Sequence, residues 1–348
     1  MLKIKWLLLN KKLVFTIIIA ILLISFKTDS ALQKFRLTGF AQGTTWQITY
    51  YAKDSLISID QVEQIFAEID SSMSLYKPFS VINQFNASVK GVKIDKHLKR
   101  VIVRSKIVSE ETNGIFDITV KPLVEAWGFG VNSQNTNPNK KEIEEILNCV
   151  GNHQIILKGD SLIKTKPCVQ IDVNGIAQGY TVDLIANYLE TKSIRNYMVE
   201  VGGEIMVKGK KSDGNHFTIG IESPDDVLDL PFKQIISLKS GAITTSGIYR
   251  KFKMQGSKKL SHLIDAKTGY PIDNEMISVT VWAKDAILAD AYDHVFMNMG
   301  ITKSFEFLKN KKDMEVYFIY IDKSGNVADT STTGFRGFFK KEGELIYE

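Results

Sequence analysis

The run VQIDVNGIAQGYTVDLIANYLE, residues 169–190, carries the reading of the fold. Its first five residues alternate and are rich in β-branched side chains, so residues 169–173 are expected as a strand. A helix is expected over about 179–191. Between the two, DVNGIAQG sets Gly and Asp at the end of an apolar run, where a chain places ligand-binding turns. Working outward, strand-like runs fall at 45–52, 197–207, 216–222, 234–238, 278–283 and 315–322. Further helices are expected at about 95–111, 285–299 and 302–310. Ser58 with Gln61 forms a capping box ahead of Val62, Ile65, Phe66 and Ile69 at helical spacing. Helices and strands mix without a regular βαβ rhythm, which predicts an α+β fold with antiparallel sheet.

The chain has 348 residues, 44% hydrophobic and 24% charged. That profile excludes disorder, collagen and coiled coil as the main state. No repeat or Pro-rich linker divides it, so one domain is expected from about residue 36 to 348, with 131–141 as a surface loop. The net charge is +5, but all of it lies in the first 35 residues, where Lys3, Lys5, Lys11, Lys12, Lys27 and Lys34 stand against Asp29 alone. The remaining body is neutral. It lacks the basic footprint of a polyphosphate binder, so nucleic acid is not an expected partner.

Residues 13–26 are apolar apart from Thr16 and Ser25. Behind lysines, such a run reads as a signal peptide or an N-terminal membrane anchor within residues 1–30. It is shorter than the roughly 20 residues that a span needs. Joining residues 6–9 to it would make an uncleaved anchor. No Cys follows the run, so a lipoprotein is excluded, and the charge bias expects the body outside the cytoplasmic membrane.

Other segments at the ends of apolar runs are the Gly-containing GIFDIT (114–119), GGE (202–204), TTSG (244–247) and HLIDAKTG (262–269) and, around Asp290, ADAYDH (289–294). The G-x-G-x-x-G, G-x-x-x-x-G-K-[ST] and G-x-S-x-G motifs are absent, which removes three common enzyme classes. In order, the segments resemble the ApbE family of flavin transferases. The resemblance runs from Gly43-Thr44 through Met73-Ser74-Leu75-Tyr76, Ser80 and Asn86. It continues through Phe116-Asp117-Ile118-Thr119, Pro122-Leu123 and Trp127-Gly128-Phe129-Gly130 to Asp172–Asp183. Gly202-Gly203, Thr245-Ser246-Gly247, His262 with Asp265 and Gly269, and Ala289-Asp290-Ala291 complete it.

The resemblance implies a single T-fold-like domain on the periplasmic side of a bacterial inner membrane. It also implies a reaction that uses FAD and Mg²⁺. FAD is cleaved at its pyrophosphate, FMN goes to a Thr hydroxyl of an acceptor flavoprotein, and AMP leaves. The acceptor would carry a D/S-G-x-T motif and belong to a membrane redox complex or another membrane-associated flavoprotein. Hydrolysis of FAD to FMN and AMP, or flavin binding without catalysis, are the competing readings. By position, the resemblance assigns Tyr76, Ile115, Phe116, Asp117, Asp172 and Gln178 to flavin-nucleotide binding. The carbonyl of Gly175 and the Asp290 carboxylate fall at the metal, and His262 at the base that takes the acceptor proton.

This chain departs from the family at Gln42, where Met is usual, at Gln178, where Lys is frequent, and at His294, where Thr is common. Gln178 cannot neutralise phosphate, so the metal or another residue must. Asp290 and His294 lie one turn apart on a helix with Asp293 beside them. A coordinating imidazole would shift preference from Mg²⁺ toward Mn²⁺ or Zn²⁺. Alternatively Asp293 ligates, or His294 only hydrogen-bonds a metal water. His97 and His153 are read as solvated, and Trp127 and Phe129 as core. Cys149 and Cys168 flank a hairpin and are either oxidised or free buried thiols.

Overall fold

The computed structural model describes residues 32–131, 137–223, 232–248, 252–255 and 258–340. The leader and residues 132–136 of the expected loop lie outside them. Eight strands form one sheet: β1 (Gln33–Ala41), β2 (Thr44–Ala52), β3 (Tyr197–Val201), β4 (Glu204–Lys208), β5 (Ser240–Gly247), β6 (Met276–Ala283), β7 (Met314–Ile321) and β8 (Val327–Ser331). Spatial order equals chain order, and every pairing is antiparallel. The α+β expectation is met.

Four long helices pack with this sheet: α1 (Ile59–Met73), α2 (Lys96–Glu111), α3 (Asn174–Thr191) and α4 (Ala286–Leu308). The first three lie in the long insertion between β2 and β3. Ser58 and Gln61 close the expected capping box on α1, whose Val62, Phe66 and Ile69 are buried. Gly300, at φ 71°, breaks α4 where the sequence reading divided it into two helices. The strands alternate, so Trp46, Ile48 and Tyr50 of β2 enter the main core with the helices, while Tyr51 joins a second core on the other face. There the hairpin Phe217–Glu222/Phe232–Leu238, together with Phe335, covers the sheet. A third apolar cluster, around Leu123, Trp127, Ile143 and Ala266, supports the loops at one end.

Three expectations need correction. Residues 169–173 form no strand, because the Asn86 side chain takes both polar groups of Ile171: its Nδ2 donates to Ile171 O at 2.9 Å, and Ile171 N donates to its Oδ1 at 2.8 Å. The next amide, Asp172 N, donates to Ile118 O at 2.7 Å. TTSG is no turn but the last four residues of β5, paired with β6. His97 is buried, not solvated, with Nδ1 3.0 Å from the Tyr180 hydroxyl and Nε2 3.4 Å from Glu68. His153 is exposed as expected, and Trp127 is buried.

Cys149 and Cys168 form a disulfide, which settles the alternative left open by the sequence. It brackets the hairpin Ile155–Lys158/Ser161–Lys164. Among the described residues, no helix is long and apolar enough to cross a membrane. Replacing both cysteines by Ser should lower unfolding free energy by about 2–4 kcal/mol, the usual scale for a loop of this size. A denaturant midpoint equal to wild type would show that the hairpin holds the loop unaided.

Candidate functional site

The site is built where α3 and α4 touch. Gly179 permits that contact, since a Cβ there would lie 2.3 Å from Ala286 O and 2.8 Å from the Asp290 Cβ. Its amide donates to Asp290 Oδ2 at 2.8 Å. Asp183, one turn on, caps α4 from outside by accepting from Ala286 N at 2.8 Å and Ile287 N at 3.0 Å. Burial still raises the Asp183 carboxyl to about 6, against the pull of those two amides.

Asp290, Asp293 and His294 follow on α4, and their ligand atoms lie within 4.8 Å of one another. His294 makes both polar contacts through Nδ1, 2.7 Å from Asp293 Oδ1 and 3.1 Å from Asp290 O. The opposite edge of its ring packs over Gly175, where a Cβ would lie 3.3 Å from Nε2. Gly175 also departs from helical geometry, with ψ 21°, and kinks the start of α3. Burial, then the charge of Asp293, raises the Asp290 carboxyl to about 7. Burial depresses His294, but Asp293 and Asp290 together outweigh it and bring the imidazole to about 9. Thr244 on β5 turns a fully buried hydroxyl toward Asp293, and that oxygen lacks a hydrogen-bond partner of normal geometry among the described residues.

Two buried carboxylates against one imidazole, beside an orphaned hydroxyl, fit a divalent cation. The oxygen-rich donor set suits Mg²⁺ or Mn²⁺, and the nitrogen admits later metals. The sequence reading named Gly175, Asp290 and His294 here, and the three do come together.

The nucleotide-binding candidates lie on α3 and on the loops of the insertion between β2 and β3. Asp172 Oδ1 accepts from Asn174 N at 2.8 Å at the start of α3. Burial raises its pKa, against the Asn174 amide and the charges of Lys121 and His294. Asp117 caps the short 3₁₀ turn Ile118–Val120, accepting from Thr119 N at 2.8 Å and Thr119 Oγ1 at 2.6 Å. Burial raises its pKa too, against those bonds. Ile115 is half-buried and Phe116 buried in the main core. Gln178 lies against the β3–β4 turn, where a Cβ on Gly202 would meet its Nε2 at 2.2 Å. Gln42 donates to Thr181 Oγ1 at 3.2 Å.

Tyr76 is 71% exposed. Its loop is held from beneath by Asn83 Nδ2, which donates to Ser74 O, Leu75 O and Lys77 O at 3.3, 3.0 and 3.0 Å. The ring is thereby offered to solvent, as a stacking platform would be. His262 is half-buried just past the strand Lys258–Ser261, edge-on to Phe129 at 6.5 Å between ring centroids.

Sequence reasoning missed Lys121, Thr244 and Asn83. Lys121 is buried and paired with Glu125 at 2.8 Å. Its i,i+4 spacing to Glu125 was a readable signal. Thr244 was hidden by the mistaken turn.

A sheet with helices on one face, and a carboxylate-rich cluster where α3 and α4 cross, defines an α+β protein whose cluster has the chemistry to hold a cation. A family model described as "ApbE family" matches residues 42–318, and the chain belongs to that family. A Haemophilus influenzae protein named FAD:protein FMN transferase is 31% identical over 85% of this chain and 89% of its own length. A Vibrio cholerae protein of the same name is 34% identical over 81% and 86%. Among solved structures, the flavin transferase ApbE from Vibrio cholerae superposes with TM-score 0.79 at 30% identity, covering 88% of this chain and 99% of that one. The flavinyl transferase ApbE of Pseudomonas stutzeri, in its apo form, also gives 0.79 at 28% identity, covering 88% and 97%.

Gly179→Ala should cost about 1–3 kcal/mol of stability, because the two helices must separate to admit the methyl group. A thermal midpoint equal to wild type would contradict the contact.

Proposed function

We propose that the chain is an FAD:protein FMN transferase that moves FMN from FAD to a Thr hydroxyl of an acceptor flavoprotein and releases AMP. The observation that carries this reading is the Asp290, Asp293 and His294 cluster packed on Gly175, in a chain of the ApbE family. Gly175 O, Asp290 and His294 would hold a divalent cation, Mg²⁺ or Mn²⁺. Bound there, the cation supplies charge neutralisation for a pyrophosphate. Asp293 already occupies His294 Nδ1, which supports Nε2 as the ligating atom and Asp293 as the group that orients the ring.

Tyr76, Ile115, Phe116, Asp117, Asp172 and Gln178 hold and orient the flavin nucleotide. Gln178 carries no charge and Lys121 is already paired with Glu125, which leaves neutralisation of the phosphate to the cation. In the chemical step, the Thr oxygen bonds to the phosphorus on the FMN side, and the bond from that phosphorus to the bridging oxygen breaks. AMP departs with the bridging oxygen. His262 accepts the hydroxyl proton at a ring nitrogen, a task suited to imidazole. Positioning and charge neutralisation supply most of the acceleration in such transfers.

The Cys149–Cys168 disulfide supports an oxidising compartment, consistent with residues 1–30 as signal peptide or anchor and residues 36–348 as one exported domain on the periplasmic side. The acceptor's D/S-G-x-T motif and its place in a membrane redox complex belong to the same reading.

Incubation with FAD, Mg²⁺ and an acceptor bearing that motif should give a fluorescent acceptor band on a denaturing gel. AMP without labelling would instead mean hydrolysis, and unchanged FAD would mean binding alone. His262→Ala should retain FAD binding but slow labelling by about 10²-fold or more. Asp290→Ala should abolish both labelling and its dependence on divalent ions. A His262→Ala enzyme that labels at the wild-type rate would make His262 structural.

A further inference from the structure

A cleft of about 730 Å³ lies away from the flavin-site candidates. Gln178 meets the Gly202 turn at one end of the sheet, whereas this cleft opens at the other, where Lys208, Ser240 and Ala283 end their strands. Its size falls within the usual range for small-molecule sites.

Five cationic side chains and three carboxylates line it, an excess of two positive charges. The carboxylates do not quench the cations evenly. Asp183 spends both oxygens on the α4 amides, and Glu190 Oε1 accepts from Lys208 at 2.7 Å and from the Tyr197 hydroxyl at 2.9 Å. Lys96, Arg100 and Arg104 stand at i, i+4 and i+8 on α2 and all face the cleft. Like charges at that spacing repel unless something lies between them. Arg100 and Arg104 make no hydrogen bond or ion pair among the described residues, and Arg104 Nε is buried with no partner. Burying an unpaired guanidinium nitrogen is costly, so an oxyanion that accepts hydrogen bonds from the Arg104 guanidinium recovers free energy. Tyr180, Met206, Trp282 and Ile287 add an apolar wall, with the Trp282 indole fixed by donation to Ser240 O at 3.1 Å.

We propose that this cleft binds the phosphate monoester of a small ligand with an apolar body, the phosphate between Arg100 and Arg104 and the body against Trp282. Lys96 pairs with Glu68 at 3.9 Å, which leaves Arg100 and Arg104 as the unpaired positive charge of the α2 row; a phosphate monoester is negative at neutral pH, and its oxygens suit the guanidinium fork.

Phenyl phosphate is the minimal probe, titrated calorimetrically into the metal-free full chain, with inorganic phosphate as the comparison. One saturable site is expected, with inorganic phosphate weaker because it lacks the apolar body. Arg104→Gln should weaken phenyl phosphate by about tenfold or more, the equivalent of one charge-assisted hydrogen bond, while FMN transfer stays at the wild-type rate. Arg100→Gln and Lys284→Gln, both at exposed positions, should weaken binding in the same direction and keep the test valid if Arg104→Gln folds poorly. Absence of saturable binding would overturn the proposal, as would affinity unchanged in all three variants, which would put the probe in the flavin site.

Discussion

The close approach of α3 and α4 at Gly179 is the constraint on which the site depends. It lets one backbone amide reach the Asp290 carboxylate and lets Asp183 close the first turn of α4. A helix start leaves amides without intrahelical partners, and a carboxylate from a neighbouring helix satisfies two of them while fixing the relative height of both. With that height fixed, Gly175 on one helix and His294 on the other meet at van der Waals distance. The same contact sets Gln178 against the β3–β4 turn. A single small residue thus determines where the carboxylates, the imidazole and the glutamine stand relative to one another.

The sheet supplies the rigid backing, and the insertion between β2 and β3 supplies the walls. Because spatial order equals chain order in the sheet, the helices and loops carrying Tyr76, Asp117 and Asp172 arrive together as one insertion. They are locked by side chains acting on backbone: Asn83 on the Tyr76 loop, Asn86 on Ile171, and Asp117 with Thr119 on the 3₁₀ turn. Thr119 also accepts from Gly151 N at 2.7 Å, which ties the disulfide-bracketed segment to the same loop. Irregular backbone needs such partners, since each buried amide and carbonyl left unpaired costs stability.

Much of this was legible in the sequence. The capping box at Ser58, the helix on residues 96–111, the break at Gly300 and the antiparallel α+β class follow from local rules that the tertiary structure leaves intact. Residues 169–173 misled because alternation and β-branching are also satisfied by a buried irregular segment, provided something such as Asn86 completes its hydrogen bonds. Thr244–Gly247 misled in the opposite sense, since turn-favouring residues serve as strand when a neighbour, here β6, pairs with all four of them. His97 reads as solvated until α3 brings Tyr180 against it from 83 positions away. The resemblance placed Asp290 and His294 at the metal and helical spacing put them on one face, whereas Lys121 and Thr244 acquire their setting only through the fold.

The central claim is that the α3–α4 crossing is a divalent-cation site built from Asp290, His294 and Gly175. Diffraction at the manganese absorption edge, from crystals of the full chain soaked in Mn²⁺, tests it most directly. The account predicts one strong anomalous peak between the Asp290 carboxylate and the His294 ring. A peak elsewhere, or no peak at an Mn²⁺ concentration that supports flavin transfer, would contradict it.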